Sequence, residues 1–248
     1  MLRLIPLECG RLNADSAGLI SGTTGRIELP IASWVVQHPK GTLVFDTGMH
    51  PELQSDVSRI GRTADMFDFD YPAGEELSAR LEGVDIDPAE VAVMVFSHLH
   101  FDHCGGATLL PNARVICQKA EWDAGHHPKL VEHRVYNPDD FDLGHDKLLV
   151  EGSHDVFGDG SVACVPTPGH TAGHQSLRLM LDSGPVVLTA DCVYTRGQMD
   201  AMVTPPFGFD TELQHRSMAQ LADMERAGDR LLFGHDIEQF RSLPAALT

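Results

Sequence analysis

Ten residues near the middle of the chain carry a dense set of metal-binding side chains: Ser97-His98-Leu99-His100-Phe101-Asp102-His103-Cys104-Gly105-Gly106. They follow the apolar run 91–96, which is typical of a buried strand. Imidazole and carboxylate groups bind borderline first-row metal ions, zinc first among them. Because side chains alternate along an extended backbone, His98, His100 and Asp102 would share one face and His103 would point the other way. The segment therefore predicts a site that can serve two metal ions.

Further candidate ligands follow other predicted strands. The predicted strands are 91–96, 161–165, 186–189 and 230–233, and the candidate ligands that come after them are His98, His170, Asp191 and His235. A scaffold of packed sheets gathers distant residues when they lie at strand ends along one rim. We therefore expect these four side chains to meet.

The rest of the pattern predicts an α/β fold. Apolar and β-branched runs indicate additional strands, and apolar positions at helical spacing indicate two helices. The additional strands are predicted at 33–37, 42–45, 114–118 and 177–181, and the helices at 75–82 and 211–226.

Composition excludes several classes of partner. The chain has 248 residues, 42% of them hydrophobic, which is enough for a sizeable core. Its net charge of -18 argues against nucleic acid and anionic membrane surfaces, since both need a basic footprint. No segment approaches the length of a membrane span, and the first twelve residues do not resemble a secretion signal. We expect a single domain over residues 1–248 and a cytoplasmic location, with the five cysteines reduced.

These motifs together resemble the metallo-β-lactamase superfamily. The resemblance spans roughly residues 30 to 240 and rests on the H-x-H-x-D-H pattern, the segment TPGHTAGH at 167–174, Asp191, and Gly234-His235. It implies an αβ/βα four-layer sandwich with a binuclear metal site at one edge. Within the superfamily, the chain resembles the N-acyl homoserine lactonases in three details. Leu99 and Phe101 occupy the variable positions of the first motif, Gln175-Ser176 follow the second segment, and Tyr194 comes three residues after Asp191.

The resemblance also implies a ligand set. One metal would be held by His98, His100 and His170, the other by Asp102, His103 and His235, with Asp191 bridging them. The implied cofactors are two zinc ions, with iron, cobalt or manganese as alternatives. Two dications, two aspartates and one hydroxide leave a formal charge of about +1, which suits a developing oxyanion.

The implied reaction is the opening of the lactone ring of N-acyl homoserine lactones, which quenches bacterial signalling. A water shared by two divalent ions becomes hydroxide near neutral pH and can attack an ester carbonyl. Tyr194 would donate a hydrogen bond to the carbonyl or tetrahedral oxygen. Asp102 would pass a proton to the leaving alkoxide. The partner is then a small lactone, and the chain a monomer or homodimer.

Two further polar residues are predicted to support the ligands rather than bind metal. Asp46 would accept a hydrogen bond from a ligand imidazole; the alternative is an aspartate that only forms a turn. His174 lies four residues after His170, and we expect it to contact a ligand or to be structural, because the two coordination spheres are already full.

Two apolar segments are candidates for an acyl-chain pocket. Residues 64–72 alternate aromatic and acidic side chains, which indicates a half-buried strand or lid edge, or else a wall for the chain. Residues 205–209 form a second apolar loop. The predicted pocket residues are Met66, Phe67, Phe69, Phe101 and Phe207.

Three other functions remain open at this point. One is hydrolysis of another small lactone, ester or thioester at the same two metals. Another is an iron-dependent oxidoreductase of the same fold, although the second ligand group argues against a mononuclear dioxygenase and the chain has no room for a flavin domain. The third is a binding protein that sequesters a lactone or metal, which would leave the complete ligand set and Tyr194 unexplained.

Overall fold

Two mixed β-sheets lie face to face in the computed structural model, which describes residues 2–248. The seven-stranded sheet contains β1 (Arg3–Asp15), β2 (Arg26–His38), β3 (Gly41–Phe45), β4 (Phe67–Asp70), β5 (Val91–Val95), β6 (Arg114–Gln118) and β7 (Lys147–Val150), in the order β4-β1-β2-β3-β5-β6-β7. The five-stranded sheet contains β8 (His154–Asp155), β9 (Val162–Pro166), β10 (Gln175–Leu181), β11 (Gly184–Leu188) and β12 (Arg230–Leu232), in the order β12-β11-β10-β9-β8.

Helices flank the sheets and connect their strands. They are α1 (Leu77–Glu82), α2 (Phe101–Cys104), α3 (Lys119–Gly125), α4 (Pro128–Glu132), α5 (Arg196–Ala201), α6 (Thr211–Arg226) and α7 (Ile237–Arg241). Short 3-10 helical segments lie between them, including 57–66 before β4 and 190–192 after β11. Among residues 2–248, no helix has both the length and the apolar character that crossing a membrane requires.

Alternating side chains of the strands build separate apolar layers. Val95 of β5 packs between the sheets in the same cluster as Leu177 of β10. The preceding residue, Met94, points to the other face and packs with Leu81 of α1. This alternation follows from the two-residue period of a strand, and it covers both faces of the first sheet.

The second sheet is covered in the same way. Val187 of β11 packs on its outer face with Met218 and Leu221 of α6. The layers therefore run helices, sheet, sheet, helices, which confirms the predicted αβ/βα four-layer sandwich.

Several predicted elements are confirmed, and one long strand was missed. The strand 114–118 and the helix 211–226 begin and end at the predicted residues, and 67–70 is a strand, as its alternation indicated. β1 was not predicted. Its register shifts between Glu8 and Arg11, where Gly10 has φ +88°, so the alternation of apolar residues is interrupted.

The layer between the sheets gives a stability prediction. Leu177 is fully buried in β10, so Leu177→Ala should lower the free energy of unfolding by about 2–5 kcal/mol. Met180 on the same strand is 44% exposed, and Met180→Ala should change the free energy of unfolding by less than about 0.5 kcal/mol. Urea denaturation of both variants measures the difference; equal effects would contradict the layer assignment.

Candidate metal centre

Loops that follow β5, β9, β11 and β12 meet at one edge of the two sheets, as the sequence predicted. They bring histidine and aspartate side chains into two groups, in each of which the candidate ligand atoms lie within 4.8 Å of one another. The first group is His98, His100, His170 and Asp191, and the second is Asp102, His103 and His235. The sequence separation between these loops shows that the fold, and not local proximity, assembles the site.

Three ring nitrogens converge in the first group. Nε2 of His98 lies 3.0 Å from Nδ1 of His100, and Nε2 of His170 lies 3.1 Å from the same nitrogen. Burial lowers the pKa of His98 and His170 well below the usual range, so both rings are neutral. Each neutral ring has one N–H and one nitrogen lone pair, so Nδ1 of His100 cannot make a full hydrogen bond to both neighbouring nitrogens, whereas a cation can accept all three lone pairs.

Asp191 lies between the two groups. Its Oδ2 is 3.3 Å from Nε2 of His170. Its Oδ1 is 3.1 Å from Nε2 of His103 and 3.0 Å from Nε2 of His235. Burial alone would raise the pKa of Asp191, but His103 and His235 bring it well below the usual range, so the carboxyl is ionised. Because each oxygen faces a different group, one carboxylate can contact two metal ions.

The structure places Asp102 in the second group and not on the face of His98 and His100, so that part of the alternation argument was wrong. Oδ2 of Asp102 lies 3.5 Å from Nε2 of His103 and 3.8 Å from Nε2 of His235. The extended backbone ends at His100, because α2 begins at the next residue. Within a helix, successive side chains are turned by about 100° and do not alternate between two faces.

Buried atoms without hydrogen bonds test whether a metal fits. Nε2 of His103 and Oδ1 of Asp191 are buried, yet neither makes a hydrogen bond within residues 2–248. Leaving such an atom unpaired costs about 1–3 kcal/mol, which a cation bound between them would offset. Imidazole nitrogen and carboxylate oxygen are also the donors that zinc and related ions prefer. The residues therefore fit two divalent metal ions.

Asp46 contacts the ring of a candidate ligand, the position in which the sequence predicted it. Its Oδ2 accepts from Nδ1 of His103 at 2.8 Å and from the Ser97 hydroxyl at 2.7 Å, and its Oδ1 accepts from the Ser97 amide at 2.7 Å. The bond to Nδ1 leaves Nε2 of His103 available for a metal. Asp46 has φ +58°, a left-handed conformation that is strained for a residue with a side chain.

His174 supports Asp191 through its backbone. Nε2 of His174 accepts the Asp191 amide at 3.1 Å, and its Nδ1 lies 3.1 Å from the Thr167 carbonyl, to which it donates. Burial lowers the pKa of His174 to about 3, so the ring is neutral and holds both bonds at once. Its two nitrogens are therefore engaged away from the metal groups.

The Asp46 contact leads to a prediction about metal affinity. In Asp46→Asn, we expect the affinity for one of two metal ions to fall by about 10- to 100-fold, because the His103 ring loses its charged orienting partner. Competition with a chelator measures this affinity. Asp123→Asn, which changes an exposed aspartate paired with Lys119, is the matched control. Unchanged retention of both ions in Asp46→Asn would contradict the orienting role.

A cavity of about 350 Å³ opens beside the two groups. Four of the predicted pocket residues line it: Met66, Phe67, Phe101 and Phe207. Phe69 does not. Phe69 lies two residues after Phe67 on β4 and packs against Phe101, with ring centroids 6.4 Å apart. Phe69 therefore supports the cavity wall from behind.

Tyr194 lies in the cavity lining between two candidate ligands. Its ring centroid is 6.0 Å from that of His170 and 5.5 Å from that of His235. Its hydroxyl makes no hydrogen bond to any other residue between Leu2 and Thr248. Burial raises the pKa of Tyr194 well above its ordinary value, and Asp191 and Asp102 add to this effect. The hydroxyl therefore keeps its proton and is free to donate to a ligand.

Six of the residues that line the cavity were not predicted from the sequence. The unpredicted lining residues are Leu12, Leu19, Leu29, Thr63, Arg134 and Val135. Leu12 lies in β1, which was not predicted, and Leu29 lies in the part of β2 that precedes the predicted strand 33–37. Arg134 and Val135 come from the irregular segment after α4, where no sequence pattern marks a cavity.

The chain is similar in sequence to known proteins over nearly its whole length. The sequence profile of the metallo-beta-lactamase superfamily matches residues 26–235. The chain belongs to this superfamily. It is 32% identical to the N-acyl homoserine lactonase AttM of Azorhizobium caulinodans, over 99% of this chain and 97% of that protein. It is also 32% identical to an N-acyl homoserine lactonase of Bacillus sp., over 96% of this chain and 95% of that one.

Solved structures of this superfamily share the whole architecture. An N-acyl homoserine lactone hydrolase with the product N-hexanoyl-L-homoserine bound at its catalytic metal centre superposes with a TM-score of 0.87 and 28% identity, covering 98% of this chain and 96% of that one. A single-residue mutant of B. thuringiensis AiiA, with N-decanoyl-L-homoserine bound at the active site, gives the same TM-score at 27% identity and the same coverage. The similarity therefore extends over both sheets and the edge that carries the two ligand groups.

Proposed function

We propose that this protein is a metal-dependent hydrolase that opens the lactone ring of N-acyl homoserine lactones. One observation carries the proposal: Asp191 joins two ligand groups at the base of a largely apolar cavity that also presents Tyr194. The two ligand groups and Tyr194 suit the polar ester ring of such a substrate, and the apolar cavity wall suits its acyl tail. The lactonases to which the chain is similar over nearly its full length support the same substrate class.

The residues would hold two divalent ions, one in each group, with Asp191 contacting both. Bound there, such ions supply Lewis acidity toward an ester carbonyl and lower the pKa of water. Zinc is the cofactor that this donor set favours, with iron, cobalt and manganese as alternatives. Asp46 and His174 keep His103 and Asp191 in place through the hydrogen bonds described above.

Two residues of the cavity would contact the reacting oxygens, one by a hydrogen bond and the other by proton transfer. The protonated hydroxyl of Tyr194 donates a hydrogen bond to the lactone carbonyl oxygen and follows it as negative charge develops. The carboxylate of Asp102 reaches the cavity, takes up the proton that the attacking water loses, and delivers it to the oxygen that leaves when the ring opens. Tyr194 stands beside the candidate metal ligands and Asp102 is one of them, so both side chains can act at one carbonyl.

The apolar lining would bind the acyl chain. Phe67 and Phe207 lie in the cavity wall, and each loses apolar contact area when it is truncated. We expect Phe67→Ala and Phe207→Ala to raise KM about tenfold more for a decanoyl than for a butyryl substrate. Met180→Ala, on an exposed face of β10, is the control. An unchanged ratio of the two KM values would remove these residues from the pocket.

Proton release from a panel of homoserine lactones of increasing acyl length tests the proposal. The metal-loaded protein should open them with a preference for one range of chain lengths, and a chelated sample should not. Homocysteine thiolactone and simple γ-lactones belong in the same panel. Turnover of these compounds without turnover of the acyl homoserine lactones would contradict the proposed substrate and identify another lactone or thioester in its place.

Three broader properties belong to the same proposal. Both sheets contribute to one interior layer and to the ligand edge, which supports a single catalytic domain over the whole chain. The five cysteines are buried and unpaired, which supports a cytoplasmic enzyme. The enzyme would act as a monomer or homodimer.

A further inference from the structure

A fully buried carboxylate connects the two loops that carry the first ligand group. Glu121 of α3 has no exposed surface. Its Oε1 accepts the Leu99 amide at 3.1 Å, and its Oε2 accepts the Gly173 amide at 2.9 Å. Leu99 lies between His98 and His100, and Gly173 lies three residues after His170. One side chain therefore bonds both loops, although they are far apart in sequence.

A tyrosine extends this connection to a ligand ring. The hydroxyl of Tyr136 donates to Oε1 of Glu121 at 3.1 Å. The Tyr136 ring faces that of His100, with centroids 5.5 Å apart and planes tilted by 31°. Both Tyr136 and Glu121 lie outside the cavity lining, so neither can touch a bound substrate.

The loop of the second segment packs directly on α3. A Cβ atom at Gly173 would lie 2.2 Å from the backbone nitrogen of Glu121, so only glycine permits this approach. A buried carboxylate is unfavourable unless its oxygens accept hydrogen bonds, and here three donors satisfy it. Such an arrangement fixes the distance between the two loops more strictly than apolar packing would.

We infer that Glu121 is a positioning residue for the first metal ion, holding His98 and His100 at a fixed distance from His170. This inference rests on the metal-dependent function proposed above. Glu121 does not contact a metal ligand side chain; it acts through the backbones of Leu99 and Gly173. Asp46 bonds the His103 ring of the other group directly, and it reaches Nδ1 of His98 only through the Ser97 hydroxyl, which lies 2.9 Å from that nitrogen. Glu121 is therefore the carboxylate that joins the two backbone loops of the first group, and Asp46 is the one that bonds a ring of the second.

Glu121→Gln tests the inference with an unchanged side-chain shape. An amide has one accepting oxygen, so it cannot accept from Leu99 and Gly173 on opposite sides at once. We expect the affinity for one of the two metal ions to fall by about 10- to 100-fold, the range for loss of a supporting contact. Zinc retained per chain after dialysis against a graded chelator measures it. Tyr136→Phe, which keeps the ring on His100 and removes one donor, should show a smaller loss of the same kind.

Combination with Asp46→Asn separates positioning from a general loss of stability. Each single variant should retain one tightly bound zinc ion, and the double variant Asp46→Asn/Glu121→Gln should retain none. Retention of both ions in Glu121→Gln, or of one ion in the double variant, would overturn the inference. If Glu121→Gln does not fold, Tyr136→Phe combined with Asp46→Asn decides the same question. Since no lactone is used, the outcome is independent of the substrate proposed above.

Discussion

Asp191→Asn should lower kcat/KM for an acyl homoserine lactone by about 10³-fold, equivalent to about 4 kcal/mol of transition-state stabilisation. The two oxygens of Asp191 face different ligand groups, Oδ2 toward His170 and Oδ1 toward His235. An amide offers one accepting oxygen, so one group loses its shared ligand. The negative charge that compensates two dications at this point is lost as well.

Metal content measured together with turnover checks this prediction. Asp191→Asn should bind fewer than two ions per chain, and added zinc should restore only part of the rate. Asp123→Asn removes one carboxylate from the exposed surface and should match the unsubstituted protein in both measurements. An Asp191→Asn protein with two bound ions and an undiminished kcat/KM would contradict the shared-ligand assignment.

Tyr194→Phe should lower kcat by about 10²- to 10³-fold, the usual effect of removing one donor to a developing oxyanion. The phenol ring packs near His170 and His235, and phenylalanine preserves that packing. Because the Tyr194 hydroxyl makes no hydrogen bond to any residue in 2–248, its removal leaves no protein partner unsatisfied. Metal content should therefore stay at two ions per chain.

The separate effects of Tyr194→Phe on kcat and on KM show whether the hydroxyl acts in the transition state or in substrate binding. A hydrogen bond that forms mainly in the transition state lowers kcat and leaves KM nearly unchanged. Steady-state kinetics on one acyl homoserine lactone, with zinc measured on the same sample, provides all three values. An unchanged kcat would remove Tyr194 from the mechanism, and a loss of zinc would indicate that it supports the metal groups.

Local sequence patterns predicted the edge that carries the candidate ligands, because each of these residues comes after a predicted strand or lies in a dense motif. His98 and His100 could be identified from spacing alone, and His170, Asp191 and His235 from their positions after strands. Asp102 was placed on the wrong face by alternation, because the backbone becomes helical one residue earlier.

Contacts between distant segments could not be predicted in the same way. Glu121 stands in a short helix among ordinary residues, and its importance depends on the approach of Gly173, which only the folded chain brings about. The left-handed backbone of Asp46 is likewise set by its bonds to Ser97 and His103. β1 was missed because a bulge interrupts its alternation, and part of the cavity wall was missed with it.

Titration of the metal-free protein with zinc, with ring opening of N-hexanoyl homoserine lactone followed at each step, tests whether two bound metal ions are needed to open the lactone. Product should be undetectable without metal and should reach its full rate as the second equivalent binds, because both ligand groups serve one carbonyl. Ring opening by the metal-free protein, or a protein with two zinc ions and no ring opening, would contradict a metal-dependent lactonase.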